Sequence, residues 1–312
     1  MKKPLIRFLS TLLAAGLLSG CPANHQSNSS PESHSQPLEF LPALKGDYFK
    51  LDSAIIGRPY HIYTRLPEGY NPNEDTTYPV IYLLDGDSLF PILATNHLFM
   101  HYDDYAPEAI IVGIAYGSFK PEINHRSFDF SLPSDTDTDT DTDTDTLKYG
   151  GAPQFLNFLE QELLPAVESR YAVNPRQRVL FGQSRGGYFV LYTAFTKPDL
   201  FRGLIASNAT FLPQQEFFHR EPVQATREDL TLAVTSGSKD MPNLRNNALS
   251  WHKHWKERGN TPWRIAFTTI PGGTHAANST DSYRFGIHEI FAEEIEISRM
   301  KAENNLQEVE DH

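Results

Sequence analysis

Apolar positions in this chain follow two spacings. From residue 41 onward, short continuous apolar runs alternate with longer stretches whose apolar residues recur every three or four positions, the pattern of a largely parallel sheet covered by helices. Residues 79–84 (PVIYLL) and 109–115 (AIIVGIA) are unbroken aliphatic and β-branched runs, which predicts strands buried on both faces. Residues 46–51 and 60–66 predict opening antiparallel strands. Residues 155–171 carry Phe155, Phe158, Leu159, Leu163, Leu164 and Val167, an i, i+3, i+4 stripe that predicts one amphipathic helix packed on the sheet. Beyond it, 178–182 (RVLFG) predicts a strand and 185–195 a helix. Residues 203–206, 230–235 and 264–270 predict three more strands, with helices near 247–256 and 281–297. In such α/β sheets, active sites gather at the carboxyl edge of the parallel strands.

Three segments lack either spacing. Lys2, Lys3 and Arg7 precede an apolar run at 8–18, too short to span a bilayer and ending in Leu18-Ser19-Gly20-Cys21, which predicts a signal peptide over 1–20. These four residues look like the lipobox of bacterial lipoproteins, in which Cys21 becomes acylated. Pro22 after it points to the outer membrane, facing the periplasm. Residues 21–38 are rich in Ser, Pro, Asn, Gln and His and predict a flexible tether; the catalytic domain is then 39–300, followed by a polar C-terminal tail at 301–312. The third segment, 135–146, is six Asp-Thr dipeptides. Six like charges without an apolar face predict a solvated loop rather than a strand, and no turn-forming Gly supports a calcium site there.

Composition changes this picture little. Hydrophobic residues at 39% and aromatics at 12% suit a folded domain. Charge excludes more: the formal net charge is −12, and loss of residues 1–20 would remove three cations and no acid, leaving −15. Such a surface disfavours nucleic acid. Cys21 is the only cysteine, so no intramolecular disulfide forms. No HExxH or CxxC is present and the 12 histidines are scattered, so neither a metal nor another cofactor is expected.

The chemistry concentrates in three places. Gly182-Gln183-Ser184-Arg185-Gly186 matches GxSxG between a predicted strand and a predicted helix, the setting in which a Ser sits on a sharp turn with its hydroxyl exposed. A Ser needs an adjacent base. His275, in Pro271-Gly272-Gly273-Thr274-His275, follows the last predicted strand through a glycine-bearing loop. An acid between them in chain order would fix the His tautomer. Asp240, just past the 230–235 strand, is the candidate; Asp281, beyond the His loop, is the other nearby carboxylate, and a dyad without an acid stays open. An oxyanion needs two preorganised N–H donors. One is the amide of Arg185, and the other falls in the loop Leu83-Leu84-Asp85-Gly86-Asp87.

Tyr78 to Asp87 (YPVIYLLDGD), the GQSRGG elbow, Gly150-Gly151-Ala152 before a helix that reaches Glu162-Leu163-Leu164-Pro165, and PGGTH together resemble the putative-esterase family over roughly residues 40–295. That family includes esterase D-like enzymes, bacterial siderophore esterases and mycolyl transferases. The resemblance implies the α/β-hydrolase fold, with helices on both faces of a mostly parallel sheet, and a serine hydrolase of carboxylic esters. It also implies a second oxyanion donor at Asp87, the base at His275 and the acid near Asp240. Arg126-Ser127-Phe128-Asp129 is similar to a family RxxD segment beside the active site, and Arg126, His125 and Arg185 are candidates to meet an anionic catecholate substrate of siderophore type. Gln183 stands where many relatives have His, and Ser207-Asn208-Ala209-Thr210 where they have a Ser-Pro-Ser segment. An acyltransferase of the same fold, or an inactive binding lipoprotein, are the alternatives.

Overall fold

The computed structural model describes residues 42–134 and 149–310, with side chains as far as 305. The expected signal peptide, Cys21 with its tether, and the Asp-Thr tract lie outside the described residues.

The sheet has eight strands in the order β1-β2-β4-β3-β5-β6-β7-β8. β1 (Gly46–Asp52) and β2 (Pro59–Arg65) form an antiparallel hairpin, and β2 runs antiparallel to β4 (Ile110–Ala115). From β4 through β3 (Tyr78–Leu83), β5 (Val173–Gln183), β6 (Gly203–Ser207) and β7 (Thr231–Gly237) to β8 (Arg264–Ile270), every pairing is parallel. The continuous runs read as buried strands are the central ones. Successive side chains feed two separate cores: Val80, Tyr82, Leu180 and Leu204 on one face, Ile81, Leu83, Phe181 and Ile205 on the other.

Two of the expected helices are interrupted. The single helix read over 155–171 is α3 (Ala152–Phe158), a π-helical turn at Leu159–Leu163, and α4 (Leu164–Glu168). Pro165 offers no N–H to the preceding turn and its ring crowds the carbonyl four residues back, which accounts for the widened turn. The helix read over 281–297 is α7 (Ser279–Ile290) and α8 (Ala292–Glu310), broken at the fully buried Phe291; α8 continues into the segment set down as a polar tail. Between them in sequence lie α5 (Arg185–Thr196) and α6 (Pro242–Arg258).

Helix α1 (Gly86–Asp104) left no sequence signal. Leu89, Phe90, Leu93, Ala94, His97 and Met100 are buried, but Ile92, Phe99 and Tyr102, at 51–57% exposure, place large apolar groups on the solvent face and erase the stripe. Within α1, His97 is wholly buried. Its Nε2–H donates to Pro107 O at 3.0 Å and its Nδ1 accepts from Tyr283 OH at 2.9 Å, so both ring nitrogens are used by the neutral form. Burial lowers its pKa from 6.5 to about 4. A depressed folded-state pKa means that the unfolded chain takes the proton first as pH falls. Stability present above pH 6.5 is therefore lost between pH 6.5 and 4, by up to ~3 kcal/mol at 1.36 kcal/mol per unit. Urea unfolding at pH 7 and pH 4.5 should show a smaller loss for His97→Gln than for the natural protein; equal losses would rule this group out as a source.

Candidate active site

β5 delivers Ser184 as it turns into α5. Ser184 has φ 59° and ψ −113°, a conformation a side-chain-bearing residue adopts only when its surroundings impose it. The glycines make the turn possible: a Cβ on Gly182 would stand 2.3 Å from the carbonyl oxygen of Gly186. Both sides of the serine are held, with Ser184 N–H donating to Ser207 O at 2.8 Å and Thr210 N–H to Ser184 O at 3.2 Å.

The loops after β7 and β8 carry the other two groups and are laced together. Ser238 N–H donates to Ile270 O at 3.0 Å, Lys239 N–H to Gly273 O at 2.8 Å, and Gly272 N–H to Ser238 Oγ at 2.7 Å. This lacing sets Asp240 beside His275, and the structure brings three of the predicted residues into one line. His275 Nε2 lies 2.8 Å from Ser184 Oγ, and His275 Nδ1 lies 2.9 Å from Asp240 Oδ1. The Asp240 side chain is wholly buried, its Oδ1 also accepts Met241 N–H at 2.6 Å, and its Oδ2 has no partner among the described residues. Asp281 is elsewhere, exposed in the first turn of α7.

The two expected oxyanion donors occupy first turns of helices at the strand ends. Asp87 is the second residue of α1 and Arg185 the first of α5, positions whose N–H groups have no carbonyl one turn behind them. The Asp87 carboxylate accepts Tyr116 N–H at 2.7 Å and Gly117 N–H at 2.8 Å, fastening the start of α1 to the end of β4. Ser184, His275, Asp87 and Arg126 share a cavity of about 230 Å³ with the apolar Leu89 and Phe119.

Of the three residues expected to face an anionic substrate, Arg126 lines the cavity and Arg185 and His125 are not among its lining residues. Arg126 donates from Nε and Nη2 to the two oxygens of Asp85 at 2.7 and 2.8 Å. Burial pulls its pKa down; the Asp85 hydrogen bonds and charge outweigh that and hold it above the ordinary value, so the guanidinium stays charged. Arg185 turns to Ser131 Oγ at 3.0 Å and stacks over the Tyr149 ring at 4.8 Å. His125 precedes α2 (Arg126–Asp129) and is not among the cavity residues; burial, then Arg58, lowers its pKa and favours the neutral ring. The last residue of the RxxD segment, Asp129, is fully buried. It accepts from Arg58, from Tyr60 OH at 2.7 Å and from Tyr116 OH at 2.9 Å, a structural task. Sequence reasoning missed Asp85 as the partner of Arg126, and it saw Gln183 only as a departure; Gln183 Nε2 donates to His275 O at 2.5 Å. Among the described residues no group of three His, Cys, Asp or Glu side chains could hold a metal.

The family model described as "Putative esterase" matches residues 53–297. The chain belongs to that family. The ferri-bacillibactin esterase BesA of Bacillus subtilis is 30% identical over 218 residues, 67% of this chain and 72% of its own. The siderophore triacetylfusarinine C esterase of Aspergillus fumigatus is 33% identical over 176 residues, 54% of this chain and 56% of its own. In fold, an IroE-like serine hydrolase from Shewanella oneidensis superposes with a TM-score of 0.68 at 22% identity, covering 80% of each chain. This is an α/β-hydrolase fold, and the family protein is a hydrolase of carboxylic esters.

Proposed function

We propose that this esterase opens ester bonds of an iron-chelating, siderophore-type molecule with Ser184 as nucleophile, His275 as base and Asp240 as the acid that orients it. One observation carries the residue assignment, the unbroken line from Ser184 Oγ through the imidazole to a buried carboxylate. As His275 Nε2 takes the hydroxyl proton, Oγ adds to the ester carbonyl, and the oxygen that becomes negative lies against the N–H groups of Asp87 and Arg185. The imidazolium, stabilised by Asp240, returns the proton to the leaving alcohol as the C–O bond breaks. Water, deprotonated by the same nitrogen, then cleaves the acyl-Ser184 ester and frees the acid. The substrate class is supported by the two relatives named above, both of them siderophore esterases. Because Asp85 answers Arg126, binding is not expected to depend on a free cation in the cavity. We also read the chain as membrane-anchored through acylated Cys21 at the outer membrane, facing the periplasm; release of Cys21→Ala to the soluble fraction is the check.

Incubation with a fluorophosphonate, followed by peptide mapping, should place one label on Ser184. Parallel assays on p-nitrophenyl acetate and on hydroxamate and catecholate siderophore esters should show turnover of at least one chelating ester well above the acetate. A folded protein that takes no label would remove Ser184 from the reaction. Label with no chelating ester cleaved would leave an esterase of another substrate class.

A further inference from the structure

The base of this site sits on a loop, yet its ring must hold two hydrogen bonds at once. Reacting groups displaced by about 1 Å can lose on the order of 10²-fold in rate. Something must therefore fix the backbone of His275, and the lacing of the β7 and β8 loops does not touch its own peptide. Two side-chain amides do. Asn208 Nδ2 lies 2.7 Å from His275 O and 3.1 Å from Thr274 O, and Gln183 Nε2 lies 2.5 Å from the same His275 oxygen. Gln183 is the last residue of β5 and Asn208 follows the last residue of β6, so both amides project from the ends of central parallel strands.

Asn208 does more than fill space. It is 1% exposed and has φ 43°, a left-handed conformation that Asn tolerates better than most residues but that still requires support. Its Nδ2 also reaches Asn278 Oδ1 at the start of α7. Its Oδ1 accepts Gly237 N–H at 2.7 Å, the end of the strand whose following loop holds Asp240. Its backbone N–H donates to Thr235 O at 3.0 Å. The residues on either side grip the nucleophile, through Ser207 O and Thr210 N–H on Ser184. One buried amide thus ties the segment that holds Ser184 to the loop bearing His275 and to the strand leading to Asp240.

We propose that Asn208, assisted by Gln183, is the positioning residue that fixes the His275 imidazole between Ser184 and Asp240. The proposal rests on the reading of His275 as base. Asn208 is not among the residues lining the cavity, so its loss acts on chemistry and not on binding; Gln183 does line it, so its variant is judged on kcat and labelling rate and not on KM. Asn208→Ala removes every side-chain bond. Asn208→Asp keeps the acceptor for Gly237 N–H but turns a carboxylate oxygen toward two carbonyls. Gln183→Met, at a half-buried position, removes one of the two donors to His275 O while leaving the strand backbone its own hydrogen bonds.

The test measures kcat and KM on p-nitrophenyl acetate, the rate of fluorophosphonate labelling, thermal unfolding, and the downfield proton resonance of a His275 Nδ1–H bonded to Asp240. Expected for both Asn208 variants is a fall of about 10- to 100-fold in kcat, an equal fall in labelling rate, and KM within about twofold, with the downfield resonance broadened or lost. Gln183→Met should show the same parallel fall in kcat and labelling rate at a few-fold. That variant keeps the proposal open to refutation if the Asn208 variants do not fold. Folded variants that label at the natural rate, or that lose KM and not kcat, overturn the positioning role while leaving the serine hydrolase assignment intact. A natural protein that takes no label overturns the reading beneath it as well.

Discussion

Ser184→Ala is expected to lower kcat for ester hydrolysis by roughly 10³-fold or more while leaving the protein folded. The hydroxyl lies at the surface of a tight turn, and its one side-chain hydrogen bond among the described residues is with His275 Nε2. Losing it uncovers no buried polar group, so the melting temperature should barely move. The strained backbone at φ 59° is held by Ser207 O and Thr210 N–H, both of which bond main-chain atoms and persist in the variant. What remains is the oxyanion site and whatever binding energy the cavity supplies, which in serine hydrolases sustains weak residual catalysis. Steady-state kinetics on p-nitrophenyl acetate, with circular dichroism as the fold control, decide the matter. Near-natural turnover in a folded variant would mean that another group performs the attack.

The parts of this molecule that sequence made legible are those fixed by local pattern. Strands buried on both faces, such as 79–84 and 109–115, are continuous apolar runs whatever lies around them, and the structure has strands there at Tyr78–Leu83 and Ile110–Ala115. The elbow is legible because its steric demand, no side chain at Gly182 against Gly186, is written into adjacent residues. Helix α1 was illegible for the opposite reason: with Ile92, Phe99 and Tyr102 on its outer face it has no polar side for a periodicity to reveal.

The charged residues show a second limit. Arg126, Arg185 and His125 read alike as cations near the elbow. Their partners, Asp85 at 41 positions away and Ser131 at 54, are set by tertiary structure and by nothing in the local sequence. Gln183 and Asn208 were visible only as residues that differ from a family pattern, since their common target, His275 O, is 92 and 67 positions away. Spacing likewise left two carboxylates near His275, and it is the lacing of the β7 and β8 loops that brings Asp240 to 2.9 Å.

That choice supplies the largest expected effect after removal of the nucleophile. Asp240→Asn should preserve the fold, because an amide is nearly isosteric and its oxygen can still accept Met241 N–H. Either orientation fails His275: with its carbonyl at the Oδ1 position, which meets both Met241 N–H and His275 Nδ1, the amide holds the ring but carries no charge to stabilise the imidazolium, and with its NH₂ there it favours the tautomer protonated at Nε2. A His with its proton at Nε2 cannot take one from Ser184 Oγ. The rate should fall steeply, by up to ~10⁴-fold as in the best-studied triad, with little change in KM. Because the Asp240 side chain is wholly buried, with His275 its one ion-pair partner among the described residues, replacing it also removes a desolvated carboxylate, so thermal stability should not suffer in proportion to activity. Asp281→Asn is the control: that carboxylate is exposed in the first turn of α7, and its variant should keep natural kcat. The reverse result, a large loss for Asp281→Asn and none for Asp240→Asn, would put the acid on the wrong loop. Natural rates for both would mean that Ser184 and His275 work as a dyad, with the His275 ring held by its backbone.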